Sequence, residues 1–340
     1  MDKVIIIAEA GVNHNGSLEL AKELIDVATR AGVDYIKFQS FKSSKVVTAL
    51  AKKALYQQKN IADGDDSQLD MAKKLELSYS DHRAIVDYCG MKGIGFLSTA
   101  YDDESMDMLQ AFGVDFIKIP SGEITNLPYL RKAASYNKPI IISTGMAFLG
   151  EVESAIRVLV ENGVRRDSIC VLHCNTEYPT PIGDVNLMAM QTIGHALKVK
   201  VGYSDHTLGI EVPIAAVALG ACVIEKHFTL DRNMTGPDHK ASLEPNELLN
   251  MVLAIRNIEQ AICGDGLKTP SKSELANIPI VRRSIHLSRT VLKDSILKQD
   301  DLIMKRPGYG ISPMEIDRVI GKRTLRDLSE DHCLVWTDIV

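Results

Sequence analysis

The sequence lacks the features that mark secreted, membrane-spanning or nucleic-acid-binding chains. Its 340 residues include six cysteines and one tryptophan, and no two cysteines form a CxxC pair. Lysine and arginine number 39 against 44 acidic residues, for a net charge of −5. The first apolar run is too short for a signal peptide, and no run approaches the about 18 residues of a membrane helix. We therefore expect a cytoplasmic protein that has no disulfide framework and binds neither nucleic acid nor a membrane.

Short apolar runs, rich in β-branched residues, alternate with helix-like segments along most of the chain. There are eight such runs: 4–8, 34–38, 94–98, 115–119, 139–143, 169–173, 199–203 and 222–228. Apolar strands that alternate with helices are typical of parallel sheets covered by helices. Eight units predict an α/β fold of the (β/α)8, or TIM barrel, type. The alternative is a doubly wound sheet, which the absence of a GxGxxG motif after the first strand disfavours.

The spacing between the second and third predicted strands is unusually long. It contains a stretch rich in charged residues, Gln and Asp at 51–74. A long insertion after a barrel strand lies on the catalytic face, where such segments often close over the substrate. The alternative is a mobile surface loop.

The alternating pattern ends near residue 262. Residues 266–282 are rich in Gly, Pro, Ser and Lys, which predicts a linker. Short strands and turns follow. We therefore predict a barrel domain over 1–265, a linker over 266–282 and a small C-terminal domain over 283–340 that docks against a barrel.

Polar residues stand at the carboxyl ends of the predicted strands, where TIM barrels hold their active sites. Lys37 and Lys118 lie inside apolar strands, where an ammonium is costly unless it meets an anion or a carboxylate. Hydroxyl groups at neighbouring strand ends favour a bound phosphate or carboxylate. The alternatives are internal salt bridges to Glu9 and Glu123, and a Schiff-base aldolase that uses Lys118.

Two histidines, His206 and His227, follow neighbouring predicted strands. Their imidazoles predict a site for a divalent ion such as Mn²⁺, Fe²⁺, Co²⁺ or Zn²⁺, since no soft thiolate narrows the choice. The alternative for this pair is simple core packing. His239 is either a third ligand or a surface residue, and Asp238 beside it is a candidate for binding a sugar hydroxyl.

Four motifs, SDHT at 204–207, EKHFTLD at 225–231, GPDH at 236–239 and KRPGYG at 305–310, together resemble the sialic acid synthase family, which includes legionaminate synthases. The resemblance implies a TIM barrel with a C-terminal antifreeze-like (SAF) domain. It also implies condensation of phosphoenolpyruvate with an N-acylated mannosamine-type sugar, giving a nine-carbon 2-keto acid and phosphate. The implied assembly is a homodimer with swapped C-terminal domains. The implied cofactor is Mn²⁺, with Mg²⁺ or Co²⁺ as alternatives.

The resemblance assigns roles to matching positions. Its metal ligands are His206 and His227. Its phosphoenolpyruvate-binding groups are Lys37, Thr99, Lys118, Ser121, Ser143, Asn175, Thr176 and Ser204, with the choice between Asn175 and Thr176 left open. Its sugar-binding groups are Gln39, Tyr178, Asp238 and Arg306, of which Arg306 reaches across the dimer. Among the catalytic candidates Glu123, Glu9 and Lys118, we expect Glu123 to activate water, with Glu9 second, and Lys118 to bind the anion.

The resemblance leaves the sugar substrate open. Our first interpretation is an N-acetylneuraminate synthase that acts on N-acetylmannosamine. The alternative is a synthase of N,N'-diacetyllegionaminate or another nonulosonate, acting on a 6-deoxy sugar with two acetamido groups. A 9-phosphate synthase is disfavoured because the sequence shows no extra phosphate-binding cluster. A tail that binds ice or a protein partner is disfavoured because it would not need polar strand ends in the barrel.

Overall fold

The first part of the chain is a closed barrel of eight parallel strands in chain order. The computed structural model describes residues 3–340, and these form two compact units that divide between Cys263 and Gly264. The barrel strands are β1 (Ile5–Gly11), β2 (Tyr35–Ser40), β3 (Gly95–Ala100), β4 (Ile117–Ile119), β5 (Ile140–Ser143), β6 (Ile169–Cys174), β7 (Lys200–Asp205) and β8 (Val223–His227). The predicted TIM barrel is confirmed, and the doubly wound alternative is wrong.

A helix follows each barrel strand, except that four helices separate β2 from β3. In chain order the helices are α1 (Leu18–Ala31), α2 (Ser43–Val46), α3 (Leu55–Ile61), α4 (Gln68–Leu75), α5 (Tyr79–Lys92), α6 (Asp103–Phe112), α7 (Leu127–Ser135), α8 (Leu149–Glu161), α9 (Met188–Leu197), α10 (Glu211–Ala218) and α11 (Pro245–Ala261). Helix α1 shows why they form. The Ser17 side chain accepts a hydrogen bond from the backbone N–H of Leu20 at its start, and Gly32 takes the left-handed conformation (φ 76°) at its end.

Alternation along the strands gives the barrel an apolar floor and a polar rim. Ile7 and Leu97 belong to a buried apolar cluster. Two residues later on the same strands, Glu9 and Thr99 line a cavity at the carboxyl ends. Because side chains two positions apart on a strand share a face, one inward-facing row passes from packing to chemistry.

The second unit has its own core and is described by itself. Its helices are α12 (Ile278–Val281) and α13 (Ile316–Val319). Strands β9 (Ser284–Leu287) and β10 (Leu302–Lys305) pair antiparallel, with Leu302 opposite Leu287. Its buried core consists of Ile285, Leu287, Val291, Leu297, Ile311, Val319, Leu328, Leu334 and Ile339.

Among residues 3–340, the helices are all too short or too polar to cross a membrane.

Candidate active site

A cavity of about 640 Å³ opens at the carboxyl ends of the barrel strands. Strand register brings its residues together, since Glu9 pairs with Lys37, and Thr99 pairs with both Gln39 and Lys118. The predicted site residues that line it are Glu9, Lys37, Gln39, Thr99, Lys118, Ser121, Ser143, Thr176, Tyr178, Ser204, His206 and His227. A second cavity of about 760 Å³, at the opposite end of the barrel, contains none of the predicted site residues.

Two ammonium groups and two carboxylates form a buried Lys–Glu cluster in this cavity. Lys37 Nζ lies 2.8 Å from Glu9 Oε2 and 3.7 Å from Glu225 Oε2. Lys118 Nζ lies 3.7 Å from Glu225 Oε1. The four side chains are at most 5% exposed. The alternative of internal salt bridges is therefore correct for Lys37 with Glu9, whereas Lys118 pairs with Glu225 rather than with Glu123.

Burial and mutual charge set the protonation of the Lys–Glu cluster. Burial raises the pKa of Glu9 to about 7, against the opposing effect of Lys37. Burial lowers the pKa of Lys118, and Glu225 offsets part of that effect. Burial would raise the pKa of Glu225, but Lys118 and Lys37 hold it below its usual value. Where Glu9 is protonated near neutral pH, the cluster carries excess positive charge, which suits the binding of an anion.

Hydroxyl groups surround the two ammonium groups. Lys37 Nζ donates to Thr99 Oγ1 at 2.9 Å, and Lys118 Nζ donates to Ser143 Oγ at 2.8 Å. Ser204 Oγ donates to Glu225 Oε1 at 3.1 Å. These contacts fix the ammonium groups in place and leave a row of hydrogen-bonding groups suited to phosphate or carboxylate oxygens.

The two histidines of the predicted metal site face each other, with ring centroids 5.3 Å apart. His206 Nδ1 donates to the backbone carbonyl of Asn175, which leaves Nε2 as the acceptor nitrogen of this ring. Burial lowers the pKa of His206 to about 4 and that of His227 well below its usual value. Tyr178 stacks on His206 with a centroid distance of 4.1 Å and holds the ring in position.

This donor set fits a divalent ion that takes most of its ligands from water and substrate. His227 Nδ1 is buried without a hydrogen-bond partner and lies 3.9 Å from Asp238 Oδ2. Neutral imidazole nitrogens of this kind are good ligands for first-row divalent ions. Within residues 3–340 no group of three or more His, Cys, Asp or Glu side chains is arranged to hold a metal.

His239 has other partners. Its Nδ1 contacts Thr229 Oγ1 at 2.7 Å and its Nε2 contacts Asn15 Oδ1 at 3.2 Å. The Nδ1 contact lies within the loop after β8, and the Nε2 contact holds that loop against the loop after β1. His239 is fully buried, so it is not a surface residue, and the interpretation as a third ligand gains no support from its contacts.

Four of the predicted residues lie outside the cavity lining. The carboxylate of Glu123 accepts a hydrogen bond from Asn126 Nδ2 at 2.5 Å. Asn175 Oδ1 accepts from the backbone N–H of Glu177, so its side chain shapes the loop after β6. Asp238 is buried in a smaller neighbouring pocket. Arg306 belongs to the second unit, where it is exposed and its Nε donates to the carbonyl of Val281.

Glu225 is the main site residue that the sequence analysis did not assign. It lies two positions before His227 on β8, and residues two apart on a strand share a face. That spacing was the feature of the sequence that could have identified Glu225 as a site residue. Tyr101 and Tyr56 also line the cavity, and Tyr56 stacks on Tyr178 at 5.0 Å between ring centroids.

The insertion between β2 and β3 is folded and contributes to the cavity wall. Its helix α3 supplies Tyr56 and Gln57, and α4 supplies Gln68. Lys53 Nζ donates to the carboxylate of Asp63 within the insertion. These contacts favour the interpretation as a segment that covers the substrate over that of a mobile surface loop.

Comparisons with known proteins agree on the family. A model of the NeuB family matches residues 24–268, and a model of the SAF domain matches residues 282–340. The N,N'-diacetyllegionaminic acid synthase of Campylobacter jejuni is 54% identical over 98% of this chain and 99% of that protein. The protein of the same name from Legionella pneumophila is 49% identical over 98% of this chain and 94% of its own length.

Among solved structures, the N-acetylneuraminic acid synthetase of Leptospira borgpetersenii, crystallised with citrate, is more distant in sequence. It is 34% identical to this chain, with a TM-score of 0.71, over 82% of this chain and 90% of that one. The sequence similarity is thus greater to the two proteins named for legionaminic acid than to this one named for sialic acid.

Proposed function

The chain belongs to the NeuB family and carries a SAF domain, and from this premise we propose that it condenses phosphoenolpyruvate with a 6-deoxy sugar bearing two acetamido groups. The products are N,N'-diacetyllegionaminate and phosphate. Sequence identity of 54% over nearly the full length to a protein with that name is the observation that carries the choice of sugar. This choice replaces N-acetylmannosamine, our first interpretation from the sequence, with the alternative considered there.

The Lys–Glu cluster supports the phosphoenolpyruvate half of the proposal. Lys37 and Lys118 would bind a phosphate or carboxylate, and their ammonium groups already donate hydrogen bonds to the hydroxyls of Thr99 and Ser143. Glu9, with a pKa of about 7, is partly deprotonated at neutral pH and can therefore accept a proton. The enol is present in the substrate, so Lys118 needs to form no Schiff base and serves as an anion-binding group.

The chain's own residues then position the reacting atoms. Carbon 3 of the enol attacks the aldehyde carbon of the open-chain sugar, and positive charge develops at carbon 2 beside Glu9 and Glu225. Water adds to carbon 2 and loses one proton to Glu9, which passes it to the alkoxide left on the former aldehyde oxygen. The second proton of water leaves with the phosphate as the bond between carbon 2 and the phosphate oxygen breaks and the ketone forms. We propose Glu9 rather than Glu123 as this base, because Glu9 lines the cavity and Glu123 does not.

A divalent ion, Mn²⁺ by expectation, would be held by His206 and His227 and would supply Lewis-acid polarisation of the aldehyde oxygen. Tyr178 and the carbonyl of Asn175 fix the His206 ring for that role. Gln39 and Tyr178, at the same cavity, are placed to hydrogen-bond the sugar.

The homodimer is also part of the proposal. We propose that Arg306 of one subunit reaches the sugar bound in the barrel of its partner, through exchange of the SAF domains. Exposure of Arg306 in its own unit supports this role.

The function is tested by measuring phosphate release with phosphoenolpyruvate and each of three sugars: the 6-deoxy diacetamido sugar, N-acetylmannosamine and N-acetylmannosamine 6-phosphate. We expect the highest kcat/KM with the first sugar, and mass spectrometry should identify N,N'-diacetyllegionaminate. A higher kcat/KM with either of the other two would contradict the proposed substrate. Absence of turnover with all three would contradict the proposed reaction.

A further inference from the structure

A second, smaller pocket opens from the wall of the active-site cavity. This side pocket has a volume of about 240 Å³ and is lined in part by Gln39, Tyr101 and Tyr178, which also line the main cavity. The two spaces therefore share a wall. A sugar whose aldehyde lies by His206 and His227 would reach this shared wall, at Tyr178, with its remote end.

The remaining walls of the side pocket are mostly apolar. Helix α2 and the residue after it supply Val46 and Val47, helix α4 supplies Met71 and Leu75, and Phe41 follows β2. This part of the wall stabilises methyl groups and itself offers no hydrogen-bond partner to a hydroxyl or a phosphate.

The charge of the side pocket is unsuited to a phosphorylated sugar. Among the described residues that line it there is no lysine, arginine or histidine, and Asp238 is its one carboxylate. Gln39, Gln57 and Gln68 add amide groups, which match the hydrogen-bonding pattern of an acetamido group.

The walls of the side pocket are held by specific contacts. The carboxylate of Glu76, at the end of α4, accepts hydrogen bonds from both the backbone N–H and the side-chain hydroxyl of Ser43, at the start of α2. Asn60 Nδ2 donates to the carbonyl of Pro237 at 2.7 Å, which ties the insertion to the loop after β8. The pocket is thus preformed, and its shape can discriminate between ligands.

We propose that the side pocket binds the end of the sugar remote from the aldehyde, namely the terminal methyl group and the second acetamido group, and that it selects the 6-deoxy diacetamido sugar. This inference rests on the proposed function and assigns its substrate selectivity to the walls contributed by the insertion. N-acetylmannosamine carries hydroxyls at these places, and its 6-phosphate would add a charge without a cation to meet it.

Two substitutions test the inference. Val47→Thr exchanges a methyl for a hydroxyl with little change of shape, and Thr suits the extended backbone there (φ −126°, ψ 130°). Met71→Ala enlarges the pocket. The measured quantity is the kcat/KM for the 6-deoxy diacetamido sugar divided by that for N-acetylmannosamine. We expect each substitution to lower this ratio about 10-fold, the typical effect of one apolar group in a specificity pocket. The KM for phosphoenolpyruvate should not change.

The matched control is Met91→Ala, which truncates an exposed methionine on α5 away from the cavity and should leave the ratio unchanged. If the wild-type enzyme prefers the 6-deoxy diacetamido sugar and both variants keep its ratio, the inference is wrong and the proposed function stands. If the wild-type enzyme prefers N-acetylmannosamine, the inference and the proposed sugar substrate are both wrong.

Discussion

Replacing Glu225 with Gln should weaken both the stability of the barrel and its affinity for phosphoenolpyruvate. The Glu225 carboxylate lies 3.7 Å from the ammonium groups of both Lys37 and Lys118. Glutamine keeps the shape of the side chain and its acceptor for Ser204 Oγ but removes the charge. Both ammonium groups then remain buried with less compensation, and the pKa of Lys118, already lowered by burial, falls further.

The size of the stability loss caused by Glu225→Gln is set by opposing effects. Each ion pair at this separation is worth about 4 kcal/mol at an effective dielectric constant of about 20. The amide avoids the desolvation cost of a buried carboxylate, and the repulsion that Glu225 exerts on Glu9 disappears. Removing one partner of a buried pair costs about 3–5 kcal/mol. We expect a loss near the lower end, about 3 kcal/mol, or about 6 °C in melting temperature for a unit of this size.

Thermal unfolding should be followed by far-UV circular dichroism, because Trp336, the one tryptophan, belongs to the second unit. Phosphoenolpyruvate affinity is measured separately by isothermal titration calorimetry. The control is Glu177→Gln, which neutralises an exposed carboxylate on the same cavity. If the Glu225→Gln variant matches this control in both melting temperature and affinity, the role given to Glu225 is refuted.

Three further predictions follow from the same structure. His206→Ala should abolish chelator-sensitive activity and lower the bound metal measured by mass spectrometry while the circular dichroism spectrum is unchanged; full turnover by this variant in chelator-treated buffer would rule out the metal role. Arg306→Ala should raise the KM for the sugar more than that for phosphoenolpyruvate, and an unchanged sugar KM would count against the swapped dimer. His14 is fully buried and its pKa is lowered to about 4 by burial. The unfolded chain therefore binds a proton between about pH 6.5 and pH 4 that the native state does not. Lowering the pH through that window should reduce the free energy of unfolding by about 3 kcal/mol because of this residue. In urea titrations at several pH values, His14→Gln should reduce the loss of unfolding free energy between pH 6.5 and pH 4. An unchanged dependence of unfolding free energy on pH would contradict this role of His14.

The barrel and most of the cavity could be predicted because both depend on local periodicity. Apolar runs specify strands, and most polar residues at the strand ends line the cavity with their neighbours. Lys37, Lys118 and His227, predicted at the site from their positions on the strands, all line the cavity.

The parts that could not be predicted depend on tertiary contacts. Glu225 meets Lys118 across the barrel, through strands far apart in sequence. Glu123 ends a short 3-10 helix, Ser121–Glu123, which turns its carboxylate toward Asn126 rather than into the cavity. The side pocket exists because the helices of the insertion fold over the rim, and no local pattern reports where Val47 and Met71 come together.

The most direct test of the proposed function is a one-pot competition. The enzyme receives limiting phosphoenolpyruvate, Mn²⁺ and equal amounts of the 6-deoxy diacetamido sugar and N-acetylmannosamine, and the keto-acid products are quantified by mass spectrometry. We expect N,N'-diacetyllegionaminate as the main product, with one phosphate released for each molecule formed. A mixture dominated by N-acetylneuraminate, or consumption of phosphoenolpyruvate without either keto acid, would contradict the account.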